Sequence, residues 1–414
     1  MTSTAKLEQM ARAAHIFSPG APINKYQLFA GRVHQIRDVI NAAMQRGQHV
    51  ILFGERGVGK TSLANVLSEI LSQAGLQVMG SGTINCDGTD NFTTLWRKAF
   101  REIQINVPAS IIGFASEPTE ERTRLEKLLP EEVSPDDVRF LLQHLAEEVI
   151  IIIDEVDRLS NRHITTLLAD TIKTLSDHSV GSTLVLVGVA DSVDELIAEH
   201  ESIERCLVQV RMPRMSVEEL SEILTKSLNA LDMTMDNEVK RQIVALSQGL
   251  PHYTHLLGLH AVQAAINEDR EEVTMDDFFR AIHIAVDKAQ RSIRRAHHRA
   301  TSSARETLYA EVLLACALAK TDDLGYFAAA DVREPMSAIM GKPYKIPAFA
   351  RHLKAFCEEE RGPVLQRIGS PRRYRYRFMN PLMEPFVILD GLARELVNRD
   401  TLIGLSAEYA ARTS

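Results

Sequence analysis

The sequence predicts an α/β fold in which a parallel sheet is wrapped by helices and followed by a region of helices alone. Between residues 50 and 210, short apolar segments alternate with longer segments whose apolar residues recur every three or four positions. This alternation is typical of crossover connections between parallel strands. After Pro213 the short apolar segments stop and the helical period continues. A chain of 414 residues also exceeds the usual size of one core, so we expect several domains.

Five segments predict the strands of the sheet. Their apolar residues are nearly continuous, which indicates that both faces of each strand are covered. The segments are HVILF (49–53), VMGSGTINC (78–86), VIIIID (149–154), STLVLVGVA (182–190) and CLVQVRM (206–212). Three amphipathic segments predict the connecting helices, namely SLANVLSEILSQAG, TTLWRKAFREI and ITTLLADTIKTLS. Residues 106–132 follow neither pattern and predict a long loop or an insertion.

The composition excludes several classes of protein. Hydrophobic residues make up 45% of the chain and charged residues 25%, as in an average globular protein. No apolar run approaches the roughly 18 residues of a membrane span, and the N-terminus lacks the apolar core of a secretion signal. The four cysteines lie far apart without a CxxC pair, which disfavours zinc and disulfides. We therefore expect a cytoplasmic protein with no membrane contact.

A glycine-rich loop follows the first strand and fits GxxxxGK[ST] at every fixed position. Glycines allow the backbone N–H groups to turn toward one anion, and the helix that follows adds its positive end. Lys60 is expected to contact the β- and γ-phosphates, and Thr61 to bind magnesium. The residues expected to hold the nucleotide here are Gly54, Glu55, Arg56, Gly57, Val58, Gly59, Lys60, Thr61 and Ser62.

Two acidic residues end the apolar strand at 149–154. Asp154 lies at the carboxyl end of this strand, where open α/β sheets bind ligands, and is expected to hold magnesium directly or through water. Glu155 is expected to polarise the attacking water. With the loop, these residues predict ATP and Mg²⁺ as cofactors and ATP hydrolysis as the reaction. Asp157 and Arg158 fit helix capping or a surface ion pair as well as they fit catalysis.

The C-terminal part predicts a winged helix. Three helical segments (304–320, 326–340 and 346–360) precede two short strands, VLQRIG and RRYRYRF. Residues 341–378 hold ten Lys or Arg against three Glu, although the whole chain has a net charge of −8. Duplex DNA is the expected partner; a protein contact and a solvated face are the alternatives. The candidate DNA-binding residues are Lys345, Arg372, Arg373, Arg375 and Arg377.

The motifs GERGVGKTSL and IIIIDEVDRL together resemble those of AAA+ ATPases, in the replication-initiator branch related to origin-recognition proteins. Two further stretches resemble the same branch. LFAGRVHQIRDVI (28–40) is similar to the family's box before the first strand, which implies a place near adenine for Gly31 and Arg32. TINCDG is similar to the end of the family's second strand. The resemblance covers residues 26–285 and extends to the C-terminal winged helix, and it implies an AAA+ base with a helical lid.

The same resemblance implies roles for three later residues. ESIERCLVQVRMP is similar to the stretch that carries the arginine finger, so Arg205 is the candidate to reach the nucleotide of an adjacent subunit, with a structural surface arginine as the alternative. Asp191 stands where the family places sensor 1, usually Asn or Thr. His252 stands where sensor 2 is commonly Arg, and packing of the lid helix is an equal alternative for it.

These patterns divide the chain into six predicted segments. They are an N-terminal extension (1–25), the AAA+ nucleotide-binding base (26–213), the helical lid (214–287), a basic connector (288–304), the winged-helix domain (305–395) and a C-terminal tail (396–414).

The expected function is an ATPase that uses ATP and Mg²⁺ to control its assembly into rings or filaments, on duplex DNA contacted by the winged helix. Two alternatives remain open. One is a nucleotide-switched signalling or antiphage-defence ATPase that recruits an effector protein. The other is a transposition-type regulator ATPase that coats DNA. The chain shows no effector chemistry of its own, so we expect a protein partner.

Overall fold

The structure is a computed structural model. It describes residues 3–73, 77–108, 120–145, 148–159, 161–197, 200–303, 308–371 and 373–396. The chain forms two compact units. The sheet unit consists of Pro22–Glu55 and Gly59–Met212, and the helical unit consists of Met1–Ala21, Arg56–Val58 and Pro213–Ser414.

The helices of the described residues are α1 (Ser3–Ile16), α2 (Val33–Ala43), α3 (Lys60–Gln73), α4 (Phe92–Arg101), α5 (Pro135–Gln143), α6 (Arg162–Asp177), α7 (Val217–Leu231), α8 (Asn237–Ser247), α9 (Pro251–Asn267), α10 (Met275–Lys288), α11 (Arg291–Thr301), α12 (Tyr309–Ala317), α13 (Arg333–Met340), α14 (Ile346–Ala355) and α15 (Met383–Ala393). The strands are β1 (His49–Gly54), β2 (Gln77–Asn85), β3 (Gln104–Pro108), β4 (Glu120–Arg124), β5 (Val149–Asp154), β6 (Ser182–Val189), β7 (Leu207–Arg211), β8 (Thr234–Met235), β9 (Glu272–Val273), β10 (Phe327–Ala328), β11 (Leu365–Ile368) and β12 (Arg375–Phe378).

The sheet unit is built on five parallel strands in the order β2-β5-β6-β1-β7. Every residue of β1 and of β5 is buried, as the continuous apolar runs predicted. Because all five strands run in one direction, their carboxyl ends meet at one edge of the sheet, where Gly54 ends β1 and Asp154 ends β5. The predicted α/β class and the five predicted strands are confirmed.

An antiparallel pair, β3 and β4, lies where the sequence predicts a loop or insertion. Gln104 is opposite Arg124, and Pro108 is opposite Glu120. Residues 109–119, which connect the two strands along the chain, lie outside the described residues. The predicted loop or insertion therefore contains strand residues at 106–108 and 120–124, because pairing across the segment orders residues whose own pattern is weak.

The predicted lid (214–287) contains α7, α8, α9 and α10, and α7 begins with a capping box. The Ser216 backbone N–H donates to Glu219 over 3.0 Å, and the Glu219 N–H donates to the Ser216 hydroxyl over 3.2 Å. The unpredicted helix α1 packs on α7 and α9. Its neighbour Phe17 is fully buried, and a Cβ at Gly258 of α9 would lie 2.6 Å from the Phe17 ring. The N-terminal segment is thus part of the lid's core.

The C-terminal part of the helical unit contains α12, α13 and α14, a three-stranded sheet in the order β10-β12-β11, and α15. The predicted helix at 326–340 is wrong in its first turns, because Phe327 and Ala328 form β10 and the helix begins at Arg333. The ring of Phe327 stacks on that of Tyr376 with centroids 6.0 Å apart, a partner far along the chain that no local pattern reveals.

Two polar contacts join the predicted lid to the start of α15 within the helical unit. The Tyr253 hydroxyl of α9 donates to the Leu382 carbonyl over 2.6 Å. Arg214, just before α7, forms an ion pair with buried Glu384 at 2.8 Å. Extensive packing of α10 on α15 accompanies these contacts. Among the described residues, no helix has the length and apolar character that a bilayer span requires.

Candidate nucleotide site

The phosphate loop connects fully buried β1 to the first turn of α3. Gly57 and Gly59 have φ angles of +92° and +94°, in a region that L side chains rarely adopt. Lys60 begins α3, so the loop ends at a helix N-terminus. These dihedrals and this position are what an anion-binding loop requires.

The Lys60 ammonium folds back over the loop. Its Nζ donates to the carbonyl oxygens of Gly54 and Glu55, both at 2.8 Å, and the side chain is 7% exposed. A buried cation needs acceptors around it. The two carbonyls therefore hold the ammonium at the loop, from where it can reach a phosphate bound there.

Asp154 has the environment of a metal ligand. It is buried, and its Oδ1 accepts the backbone N–H of Glu155 over 2.7 Å. Its Oδ2 is buried without a hydrogen-bond partner among the described residues. Burial raises the pKa of Asp154, and the hydroxyl of Thr61 beside it opposes this shift. A carboxylate oxygen without a donor, next to a hydroxyl, fits a hard divalent cation with oxygen ligands.

Glu155 has a backbone conformation that few residues other than glycine adopt, with φ +59° and ψ +36°. Such a conformation persists only where the surrounding structure fixes it, and it is common at functional sites. The Glu155 carboxylate is half exposed and forms an ion pair with Arg158 at 3.0 Å. The surface ion pair, one of the alternatives for Arg158, is thus present.

Asp157 has a positioning role that the sequence left open. Its Oδ1 accepts the backbone N–H of Val189, the last residue of β6, over 2.8 Å. This bond ties the turn after β5 to the end of the neighbouring strand. Asp157 therefore fixes the backbone that carries Glu155, and the only sequence signal for it was its place three residues after Asp154.

An acidic pair after β2 was missed in the sequence. Lys98 of α4 contacts Asp87 at 2.6 Å and Asp90 at 2.7 Å. The Lys98 ammonium and the Thr89 hydroxyl hold the pKa of Asp87 well below its usual value. The bond from the Cys86 N–H to the Asp154 carbonyl (2.9 Å) places this turn beside the end of β5. The sequence feature that could have revealed this pair is the spacing Asp87-x-x-Asp90 directly after the second strand.

Three further candidates for the nucleotide site lie in the sheet unit. Asp191 follows β6, and its backbone N–H donates to Glu195 over 3.1 Å. Gly31 and Arg32 both have positive φ, at +66° and +61°, in the turn that begins α2, and the Arg32 side chain is buried.

Arg205 lies at the side of the sheet where the strands begin, whereas the phosphate loop lies at the side where they end. It precedes β7, whose first residue Leu207 is beside His49, the first residue of parallel β1. The six residues of β1 separate the beginning of this strand from Gly54 at its end, a distance of roughly 16–20 Å. The Arg205 guanidinium is exposed and pairs with Asp177 at the end of α6. It therefore does not serve the phosphate loop of its own chain.

His252 lies in the first turn of α9, in the helical unit. Its Nδ1 is 2.7 Å from the carbonyl oxygen of Pro19. Because a carbonyl only accepts, Nδ1 carries the proton of this bond. Burial lowers the pKa of His252, and the bond to Pro19 opposes that shift. The lid-packing alternative thus has a specific contact behind it.

The candidate DNA-binding residues have different surroundings. Arg375 forms an ion pair with Asp322 at 2.7 Å. Arg377 bonds to Gln366 over 3.2 Å and lies over the Tyr326 ring. Lys345 and Arg373 are exposed, whereas Arg372 lies outside the described residues. Along β12 the arginines alternate with the aromatic residues, and Tyr376 and Phe378 are buried on the opposite face.

Comparison with known proteins agrees with these motifs. Residues 43–197 match a family described as an AAA domain. Among solved structures, the ORC2 protein of Aeropyrum pernix in its ADPNP-ADP complexes is 14% identical over 95% of this chain and 98% of that one, with a TM-score of 0.49. Cdc6p of Pyrobaculum aerophilum is 15% identical over 95% and 98% (TM-score 0.45), and a variant of RuvB from Thermotoga maritima is 16% identical over 83% and 91% (TM-score 0.44).

The domain match, the five-stranded parallel sheet and the complete phosphate loop show an α/β P-loop fold in the sheet unit, in which residues 43–197 match the AAA domain family.

Proposed function

We propose that this protein binds and hydrolyses ATP with Mg²⁺ and that the bound nucleotide controls its self-assembly on duplex DNA. The arrangement of Lys60, Thr61 and Asp154 carries the proposal. A buried carboxylate oxygen without a donor is costly unless a ligand uses it, and the Lys60 ammonium is held at the glycine loop where a phosphate would bind. A nucleoside triphosphate with its cation fits both groups.

In the proposed reaction, Lys60 exchanges its two carbonyl contacts for the β- and γ-phosphates, while Thr61 and Asp154 hold Mg²⁺. The cation, when bound, neutralises charge on the phosphate oxygens. Glu155 orients a water and accepts its proton as the water oxygen bonds to the γ-phosphorus and the bond to the leaving ADP oxygen breaks. Glu155 must leave Arg158 to do this, so the ion pair belongs to the resting site.

Assembly follows from the position of Arg205. An arginine that neutralises charge on the transferred phosphoryl group must approach the γ-phosphate, and Arg205 lies across the sheet from its own loop. A second copy can present it. We therefore propose that neighbouring subunits complete each other's sites in a ring or filament, with a nucleotide-binding base at 26–213 and a helical lid at 214–287.

The test of this function is ATP hydrolysis measured over a hundredfold range of protein concentration. Specific activity should rise with concentration in the wild type. Arg205→Ala should remove most of this rise while leaving ATP binding intact. Lys60→Ala should weaken binding itself, and Glu155→Gln should bind ATP without turnover. Constant specific activity in the wild type would contradict completion of the site by a neighbour.

We place DNA binding in the C-terminal part, which we propose to be a winged helix at 305–395. The residues of the family resemblance and the basic face of β12 support this. One observation favours the signalling alternative, in which this part contacts protein: Arg375 and Arg377 are engaged inside the unit by Asp322 and Gln366. Size analysis of Glu155→Gln with ATP, with and without a duplex, distinguishes the two functions. Only the proposed assembly on DNA gives a complex whose size depends on the duplex, and the signalling alternative does not.

A further inference from the structure

Helix α11 carries a dense positive face. Residues 288–304 contain five Lys or Arg and no Asp or Glu, in a chain of net charge −8. In the structure five basic side chains of α11 are exposed, and they recur at positions i, i+3, i+4, i+7 and i+8, which share one helix face. We call this face the α11 stripe; its members are Arg291, Arg294, Arg295, His298 and Arg299.

No acidic side chain forms an ion pair with the α11 stripe within the described part of the chain. Arg294 donates to the backbone carbonyl of Asp287 over 2.7 Å, and Arg299 donates to that of Glu359. A carbonyl partner orients a guanidinium but leaves its charge uncompensated. The contrast with β12 is clear, because Arg375 there is paired with the Asp322 carboxylate at 2.7 Å.

The opposite face of α11 is anchored, which holds the α11 stripe in place. Ile293, His297 and Ala300 are buried against the rest of the helical unit. The His297 ring packs edge-on against Phe386 of α15, with ring centroids 5.3 Å apart. Burial of this face presents the cations to solvent on a fixed helix, so less side-chain and backbone freedom is lost when a ligand binds.

We propose that the α11 stripe binds the phosphate backbone of duplex DNA. This deepens the function proposed above and rests on it, and it moves the main phosphate contact from β12 to α11. Eleven residues of helix extend about 16 Å, along which a duplex carries about nine or ten phosphate charges. Four arginines on one face can each meet one of these phosphates.

The composition of the α11 stripe favours a duplex over other polyanions. Single-stranded nucleic acid is held by aromatic side chains between the cations, and protein interfaces have apolar or aromatic anchors at their centre. The exposed side chains of α11 are basic residues and Ser292. Contacts of this kind are electrostatic and read no base sequence.

The test is fluorescence anisotropy of the full-length protein with a labelled duplex of about 30 base pairs, titrated from about 50 to 200 mM salt. The variant is Arg291→Ala/Arg295→Ala, which spares Arg294 and Arg299 and their carbonyl contacts. We expect binding to weaken about 10- to 100-fold at about 100 mM salt and the slope of log K against log salt to fall by about 1.8. Alanine suits a helix interior, so the variant should fold.

Two matched variants show whether charge at this place is responsible. Lys226→Ala/Arg241→Ala removes the same charge from α7 and α8, where Glu222 and Glu238 pair with these side chains, and should leave the slope unchanged. Arg291→Lys/Arg295→Lys keeps the charge and should retain most of the slope.

The outcomes separate this inference from the proposed function. If the α11 variant binds like the wild type while Lys345→Ala/Arg373→Ala loses affinity, the inference is overturned and DNA binding stands. If the wild type does not bind the duplex even at the lowest salt, about 50 mM, both fail, and an acidic protein becomes the partner to seek. ATP hydrolysis by the α11 variant without DNA should equal that of the wild type.

Discussion

At the scale of single residues, the nucleotide site contains a carboxylate that the ligand-free fold does not satisfy. Asp154 is buried, its Oδ2 has no hydrogen-bond partner among the described residues, and burial raises its pKa. A group placed for a ligand in this way costs stability when the ligand is absent. Function and stability therefore make opposite demands on this one side chain.

Asp154→Asn tests this conflict. The amide has the same shape without a charge to desolvate, so the free energy of unfolding of the ligand-free protein should rise by about 1 kcal/mol. Binding of ATP should lose its dependence on Mg²⁺. Chemical denaturation and nucleotide titration with and without Mg²⁺ measure the two effects, with Asp170→Asn, which changes an exposed carboxylate of α6, as the control. A less stable Asp154→Asn protein would show that the carboxylate supports the fold.

At the scale of elements, β1 contains a buried histidine that a continuous apolar run does not anticipate. The Nδ1 of His49 accepts the backbone N–H of Leu184 in the adjacent strand β6 over 3.0 Å. Burial lowers the pKa of His49 to about 4. Only a neutral ring can accept this bond, so the joint between β1 and β6 depends on the histidine remaining unprotonated.

The sheet unit should therefore lose stability in mild acid. Because the folded pKa lies below the unfolded value of about 6.5, stability is intact above that pH and is lost as the pH falls toward 4, by about 3 kcal/mol at most. His49→Asn keeps an acceptor for Leu184 and does not titrate, so it should be less sensitive to acid. Denaturation curves at about pH 7 and about pH 5 compare the two proteins. Equal losses in both would assign acid sensitivity to other groups, such as His255, whose pKa burial also lowers to about 4.

How far the elements could be predicted depends on the distance between interacting residues. Continuous apolar runs predict β1 and β5, and the complete loop motif predicts Lys60 and Thr61, because both signals are local. Strand β10 was missed because its partner, Tyr376, is far away in the chain. The pairing of Arg375 with Asp322 has the same origin, and it changed the interpretation of β12 as the main phosphate-binding face.

At the scale of the whole molecule, the N-terminal segment belongs to the helical unit and not to a separate tail. Ala13 and Phe17 are buried, Lys6 pairs with Asp269, and Arg12 bonds to the end of α7. The Pro19 carbonyl also accepts from His252. The core under α7 and α9 is therefore incomplete without residues 1–21.

Deletion of residues 1–21 should destabilise the protein by several kcal/mol, since burying one large apolar side chain contributes about 1.5–3 kcal/mol. Lys6→Ala/Arg12→Ala should change stability by less than about 1 kcal/mol, because both ion pairs lie at the surface. Thermal unfolding of the three proteins measures the difference. A deletion as mild as the double variant would show that α1 adds little to the core.

The two links between the lid and α15 also limit how the protein can be recombined. Tyr253 bonds to the Leu382 carbonyl, and Arg214 pairs with buried Glu384, so residues before and after α11 share one interior. A chimera spliced near residue 305, with its C-terminal part taken from another protein, would leave a buried phenol and a guanidinium without these acceptors. Its graft would have to supply an acid at the position of Glu384. A C-terminal part can therefore be exchanged at this boundary only if its last helix provides partners for Tyr253 and Arg214, so α7 and α9 are best transferred together with α15.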